Sequence, residues 1–292
     1  MTPQPAYSEF LELASRGNLV PVYADVMADV LTPVAAYAKL SVAKPAFLFE
    51  SVVGGEQVSR YSFLGCNPSK VIAVKGNEAV VRHRDGKIET HPAPADPLSL
   101  VEEELKSCNP APSPGMPRFS GGAVGYLSYE YATCVEPSVS RPEVDSLGLP
   151  MLYFLVAESV VIFDHAKQML RICVHTRPDN DPEAAYEKAC SEIKDIMEIL
   201  RSENQLRPVP LKTVEIPETP PPGNFTREEF ESLVHRAKEY IEAGDIIQTV
   251  LSQRFSYPFK GDSIDLYRAL RVVNPSPYMF LLEDEEFSII GA

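Results

Sequence analysis

Val71-Ile72-Ala73-Val74-Lys75-Gly76-Asn77-Glu78-Ala79-Val80-Val81-Arg82-His83-Arg84-Asp85-Gly86-Lys87-Ile88-Glu89-Thr90 is the stretch that decides the fold class. Its β-branched runs, Val71–Lys75, Ala79–Arg84 and Lys87–Thr90, are joined by Gly76-Asn77 and Asp85-Gly86. Those pairs tolerate φ > 0 and favour tight antiparallel turns. Flanking segments repeat the pattern: Phe47–Val53 and Val58–Leu64 surround Gly54-Gly55, and Leu152–Phe163 and Met169–Val174 surround Asp164-His165. Between them, Asp96-Pro97 opens a helix to about Cys108, and Asp181-Pro182 opens one to about Ser202, each with an N-cap carboxylate before an N1 proline. In the second helix Tyr186, Ala189, Cys190, Ile193, Met197 and Leu200 form one stripe. The expected class is α+β, mostly antiparallel sheets with flanking helices.

At 292 residues, about two domains of ~150 residues are expected. Pro208, Pro210, Pro217, Pro220, Pro221 and Pro222 mark a Pro-rich linker, because proline fixes φ and withholds a donor. The division is 1–207 as a first domain, 208–223 as linker and 224–292 as the start of a second. After the linker, Thr226 and Glu229 make a capping box, with Phe225 and Phe230 placed as a staple. Phe230, Leu233, Val234, Ala237, Tyr240 and Ile241 give that helix an apolar face, and Gly244 ends it. A strand over Ile246–Phe255 follows, then a helix over Ser263–Val273 and a hairpin of Tyr278–Leu282 with Phe287–Ile290. The final residues, Phe287 to Ala292, read as an apolar strand entering a turn, so the second domain is expected to be truncated. A segment of roughly 70 residues rarely sustains its own core.

Net charge −14 argues against a nucleic-acid partner, since phosphate binding needs a basic face. Five cysteines without CxxC spacing (Cys66, Cys108, Cys134, Cys173, Cys190) read as reduced thiols of a cytoplasmic protein. Met1–Gly17 carries Glu9 and Glu12 and is no signal peptide. No run of ~18 apolar residues offers a membrane span. Gly121-Gly122-Ala123-Val124-Gly125 lacks both P-loop and GxGxxG spacing and reads as a strand permitting close backbone approach. His83, His91, His165, His175 and His235 show no ligand spacing for a metal.

Three segments carry the chemistry. In Phe47-Leu48-Phe49-Glu50-Ser51 a carboxylate and a hydroxyl end an apolar strand. Asn274-Pro275-Ser276-Pro277-Tyr278-Met279-Phe280 sets two prolines before an aromatic ring and a thioether. The third is Ala243-Gly244-Asp245-Ile246-Ile247-Gln248-Thr249-Val250-Leu251-Ser252-Gln253-Arg254-Phe255. Glu50 and Ser51 could pair with the ammonium of a free aromatic amino acid, against a Pro277-Tyr278-Met279 wall. Equally, Glu50 could cap a strand end and the Pro-Tyr-Met run could be core.

Together with Arg60-Tyr61-Ser62-Phe63 and Gly121–Tyr126, these motifs, in order from about Val20 to Ala292, resemble anthranilate synthase component I among the chorismate-utilising enzymes. The resemblance implies conversion of chorismate and ammonia to anthranilate and pyruvate, with ammonia from a glutamine amidotransferase subunit. It also implies L-tryptophan as feedback inhibitor at Glu50, Ser51, Pro277, Tyr278 and Met279, with Asn274 close by. Phe49 replaces the leucine more usual there. Gln248 stands where water-adding relatives, the isochorismate and salicylate synthases, carry a lysine base; glutamine cannot take a proton near neutral pH and would only orient ammonia or chorismate. Gln248 could otherwise be an ordinary strand residue. Mg²⁺ is implied as cofactor, held by glutamates of a C-terminal portion beyond Ala292, so no metal ligand is expected in these residues and the chain alone is expected to be inactive. The other readings are 4-amino-4-deoxychorismate synthase component I and a non-catalytic tryptophan-binding or assembly module.

Overall fold

The computed structural model describes residues 2–52, 60–141, 145–179, 181–203, 206–209 and 219–292. The Gly54-Gly55 turn, the start of the Val58–Leu64 strand, and Pro210 and Pro217 of the linker lie outside them. The elements are α1 (Tyr7–Ala14), β1 (Val20–Met27), α2 (Pro33–Leu40), β2 (Ala46–Glu50), β3 (Tyr61–Cys66), β4 (Lys70–Lys75), β5 (Glu78–His83), β6 (Ile88–Pro92) and α3 (Ser99–Lys106). They continue with β7 (Gly122–Leu127), α4 (Ala132–Val135), β8 (Leu152–Ala157), β9 (Ser159–Asp164), β10 (Met169–Thr176), α5 (Pro182–Arg201), α6 (Arg227–Ala243), α7 (Ser263–Val273), β11 (Met279–Glu283) and β12 (Ser288–Gly291).

The chain divides into two compact units, Met1–Arg207 with Ser263–Ala292, and Pro208–Asp262. Residues 263–292, grouped from the sequence with the second segment, instead belong to the first unit.

In the first unit a seven-stranded sheet has the order β1-β10-β9-β3-β2-β11-β12 and a five-stranded sheet the order β6-β5-β4-β8-β7. Every ladder in both is antiparallel. Successive side chains of a strand face opposite sides, and β2 shows the consequence. Leu48 joins Tyr37 of α2, Ile193 of α5 and Tyr267 of α7 in one cluster. Phe47 joins Tyr153 and Leu155 of β8 in the cluster between the sheets. A third cluster sets Val101 of α3 against Ile72 and Leu152. Each fully buried large apolar side chain contributes about 1.5–3 kcal/mol.

Helix signals read from the sequence hold well. Asp181 accepts from the Ala184 amide ahead of Pro182, and Ala189, Ile193, Met197 and Leu200 of the predicted stripe are buried. Asp96 accepts from the Leu98 amide, and the α-helix begins slightly later, at Ser99.

In the second unit Thr226 and Glu229 form both halves of the capping box, and Gly244 ends α6 at φ 83°. Two expectations fail there. Ile246–Phe255 is not a strand: its backbone pairing among the described residues is confined to its end, where a Gly223–Phe255 bridge lies beside the hydrogen bonds between Asn224 and Arg254. Ile247 is 97% exposed and Val250 81%. A strand persists only where a neighbour takes up its N–H and C=O groups. Likewise, of the apolar face expected on α6 only Ala237 is buried, and Tyr240 and Ile241 are exposed.

Candidate functional site

Glu50, the last residue of β2, lies in register between Ser62 on β3 and Met279 on β11. Alternation puts it on the same face as Leu48, beneath α7, and it is only 5% exposed. Tyr267 and Arg271, one turn apart on α7, both reach it. The Tyr267 hydroxyl donates to Glu50 Oε2 at 2.7 Å, and Arg271 Nε stands 3.1 Å from the same oxygen. Ser263, a further turn back, donates to the second buried carboxylate of this region, Glu283. Residues i, i+4 and i+8 share one helix face, so a single stripe of α7 serves both carboxylates.

Burial pushes the Glu50 carboxyl above the usual carboxylate range, and the Arg271 charge, the Tyr267 hydrogen bond and the nearby His165 only partly offset that. A shift in this direction lowers folding stability as pH rises through the interval between the ordinary and the folded value. Above it the folded chain keeps a buried ionised carboxylate at a cost in stability.

Glu50 and Ser51 open onto a cavity of about 650 Å³, lined also by Val52, Phe163, Asp164, His165, Arg271 and the 28–33 segment. Asp164 is taken up by Arg60, through Nε at 3.2 Å and Nη2 at 2.8 Å. His165 Nε2 lies 2.8 Å from Ser62 Oγ. The Val52 amide donates to the Ser276 carbonyl at 3.1 Å, tying the segment after β2 to the one before β11.

Of the six residues singled out for an effector, Glu50 and Ser51 line this cavity and the other four do not. Met279 is fully buried opposite Glu50, and Tyr278 is 76% exposed. Pro277 is half-buried and Asn274 exposed, where the Asn274 amide closes the end of α7 on the Leu270 carbonyl. Gln248 is exposed in the irregular stretch of the second unit. Sequence reasoning missed Tyr267, Arg271 and the position of His165. The available signal was the Ser263/Tyr267/Arg271 spacing, three polar tips on the buried face of a helix. Among the described residues no three His, Cys, Asp or Glu side chains gather as a metal site, and no helix is long and apolar enough to cross a membrane.

The family described as chorismate binding enzyme matches residues 44–292. The chain belongs to that family. It is 38% identical over 287 residues to anthranilate synthase component 1 of Pseudomonas putida, covering 97% of this chain and 58% of that protein. It is 36% identical over 294 residues to the protein of that name from Acetivibrio thermocellus, covering 99% and 58%. The crystal structure of anthranilate synthase component I from Streptococcus pneumoniae superposes with a TM-score of 0.58 at 28% identity, over 91% of this chain and 56% of that one. The resemblance drawn from the motifs and the α+β class are both borne out. This chorismate binding enzyme chain spans somewhat more than half the length of the curated relatives it matches.

Proposed function

We propose that this chain carries the effector-sensing part of an anthranilate synthase component I, a cytoplasmic enzyme converting chorismate and ammonia to anthranilate and pyruvate. Ammonia comes from a glutamine amidotransferase subunit, L-tryptophan is the feedback inhibitor, and Glu50 takes its ammonium. The observation carrying this reading is Glu50 itself: a buried carboxyl whose pKa burial raises, beside a hydroxyl, at the wall of a cavity large enough for an indole. Buried titratable groups perturbed in this way in a cleft mark candidate functional sites. Among the described residues no three His, Cys, Asp or Glu side chains gather as a metal site, and the chain by itself is expected to yield no anthranilate.

Two measurements test this. By titration calorimetry, L-tryptophan binds the wild-type chain and Glu50→Gln weakens it by at least about tenfold, the loss of one charge-assisted contact. Glu50→Gln is at the same time expected to stay folded, because glutamine keeps an acceptor for the Tyr267 hydroxyl. Equal affinity in the two proteins, or a strongly destabilised variant, contradicts the role given to Glu50. For the second, chorismate, Mg²⁺ and ammonium are supplied to the chain alone; anthranilate fluorescence rising above background contradicts the expected inactivity.

A further inference from the structure

A second cavity, of about 370 Å³, opens where the middle of α5 and the C-terminal end of α2 meet β3 and β9. It shares no lining residue with the cavity beside Glu50: Ser159 and Val161 of β9 line this one, Phe163 and Asp164 the other. Its floor is apolar, built from Leu40, Leu64, Val161 and Ile196 of the main core cluster. A cavity of this size, mostly apolar with a few placed polar groups, is the ordinary form of a small-molecule site. The polar groups have an uneven balance of charge. Glu192 of α5 is half-buried; Ser159 Oγ donates to its Oε1, and its Oε2 has no hydrogen bond among the described residues. Arg84 stands 3.7 Å from Glu192 Oε1 and 3.9 Å from Glu158 Oε2, too far to donate to either. One guanidinium is thus shared between two carboxylates. Asp195, one turn further along α5, adds a third at the rim, against the exposed Lys188. The floor feels the excess: burial first, and then Glu192 over the opposing Arg84, pushes the Cys66 thiol up to about 11.

We infer that this cavity takes a small amphipathic amine, its apolar or aromatic body on the floor of Leu64 and Val161 and its ammonium on Glu192 Oε2. An ammonium has three donors and no acceptor, so it suits a carboxylate with an unused oxygen and the neighbouring Ser191 hydroxyl, which also lines the cavity. It supplies the positive charge that Arg84, divided between Glu158 and Glu192, does not. A charge-assisted bond of this kind is roughly twice as strong as a neutral one. A carboxylate ligand is the opposite case: it competes with Glu158 and Glu192 for Arg84 and meets Asp195 at the rim. An uncharged body of the same shape gains the floor and little from Glu192.

The test is calorimetric titration of the whole chain with phenethylamine, 2-phenylethanol and 3-phenylpropionate, one body with three heads, in wild type and Glu192→Gln. Wild type is expected to bind the amine at least about tenfold tighter than the alcohol, the worth of one charge-assisted contact, and the carboxylate more weakly still. Glu192→Gln, which keeps an acceptor for Ser159, brings amine and alcohol to within about threefold through loss of amine affinity alone. Amide resonances locate the ligand: Gly65, Cys66 and Glu192 shift as the amine is added to wild type, and Ser51 and His165 do not. Equal affinity for amine and alcohol in wild type, a preference for the carboxylate, or no binding of the amine overturns the inference. So does an amine preference that Glu192→Gln leaves intact, or shifts confined to Ser51 and His165, which put the amine in the Glu50 cavity. Should Glu192→Gln not fold, the wild-type order of the three ligands and the resonances that move decide the matter.

Discussion

Glu283→Ala is expected to cost about 3–5 kcal/mol of folding stability, the range for stripping one partner from a buried charged network. Glu283 is 3% exposed on β11. It accepts from Tyr37 Oη of α2 at 2.5 Å, from Lys44 Nζ at 3.3 Å, and from Ser263 of α7 and Ser288 of β12. Alanine leaves the Tyr37 hydroxyl, in a side chain with no exposure, without its acceptor. Burial alone would raise the Glu283 carboxyl, but the bonds from Ser263 and Tyr37 and the Lys44 charge outweigh it and hold the group below its ordinary value. The sign follows: its contribution is complete above the ordinary carboxylate value and is lost as pH falls through the lower folded one. Chemical denaturation at neutral pH and again near pH 3 measures both effects. The gap between Glu283→Ala and wild type should narrow on acidification. A midpoint for the variant within about 1 kcal/mol of wild type at neutral pH would show that the network is dispensable.

The two carboxylates on neighbouring strands thus have opposite pH signs. Glu50 is raised and Glu283 lowered, although α7 touches both. The difference is the number of donors: Glu283 is surrounded by four, whereas Glu50 has one good hydrogen bond and a misaligned guanidinium. Glu283 is saturated by its own protein, whereas Glu50 keeps free acceptor capacity on the cavity wall.

This contrast was beyond reach of sequence reading, and the reason is distance along the chain. The turns Gly76-Asn77 and Asp85-Gly86, the caps Asp181 and Thr226, and the Met279–Gly291 hairpin are local signals, and each produced the expected element. Tyr37 and Glu283 lie 246 positions apart, and no period or cap encodes such a pair. The hairpin was legible, but its docking on β2 was not, because strand choice depends on which edge is free. Ile246–Phe255 failed for the converse reason, since an apolar alternating run is a strand only if a neighbour pairs with it. The Glu50-Ser51 pair was legible as polar chemistry at a strand end, while its α7 neighbours looked like an ordinary amphipathic helix.

Gly125→Ala is the second large effect, about 3 kcal/mol, in the upper range for forcing volume into a filled interior. Gly125 of β7 pairs with Phe154 of β8. A Cβ built on it would stand 1.9 Å from the Tyr153 carbonyl oxygen and 2.6 Å from the Phe154 Cα. Both are backbone atoms, so no rotamer change relieves the clash and β7 must move. This is why a glycine stands at position 125: the strand needs close backbone approach there. Tyr126, the next residue, stacks on Tyr153 with centroids 6.0 Å apart and meets Phe287 edge-on. Burial, and behind it the charge of Asp284, pushes its phenol up to about 12. Displacing β7 should return that titration toward the ordinary tyrosine value near 10, resolved as the difference from a Tyr126→Phe background. Gly76→Ala is the control, since Gly76 sits at positive φ (58°) but has open space around its Cβ position. It should cost only about 1–2 kcal/mol of backbone strain and leave the Tyr126 titration untouched. Equal stability losses in the two alanine variants, with Tyr126 unmoved in both, would mean that backbone contact at Gly125 does not hold the edge of the five-stranded sheet.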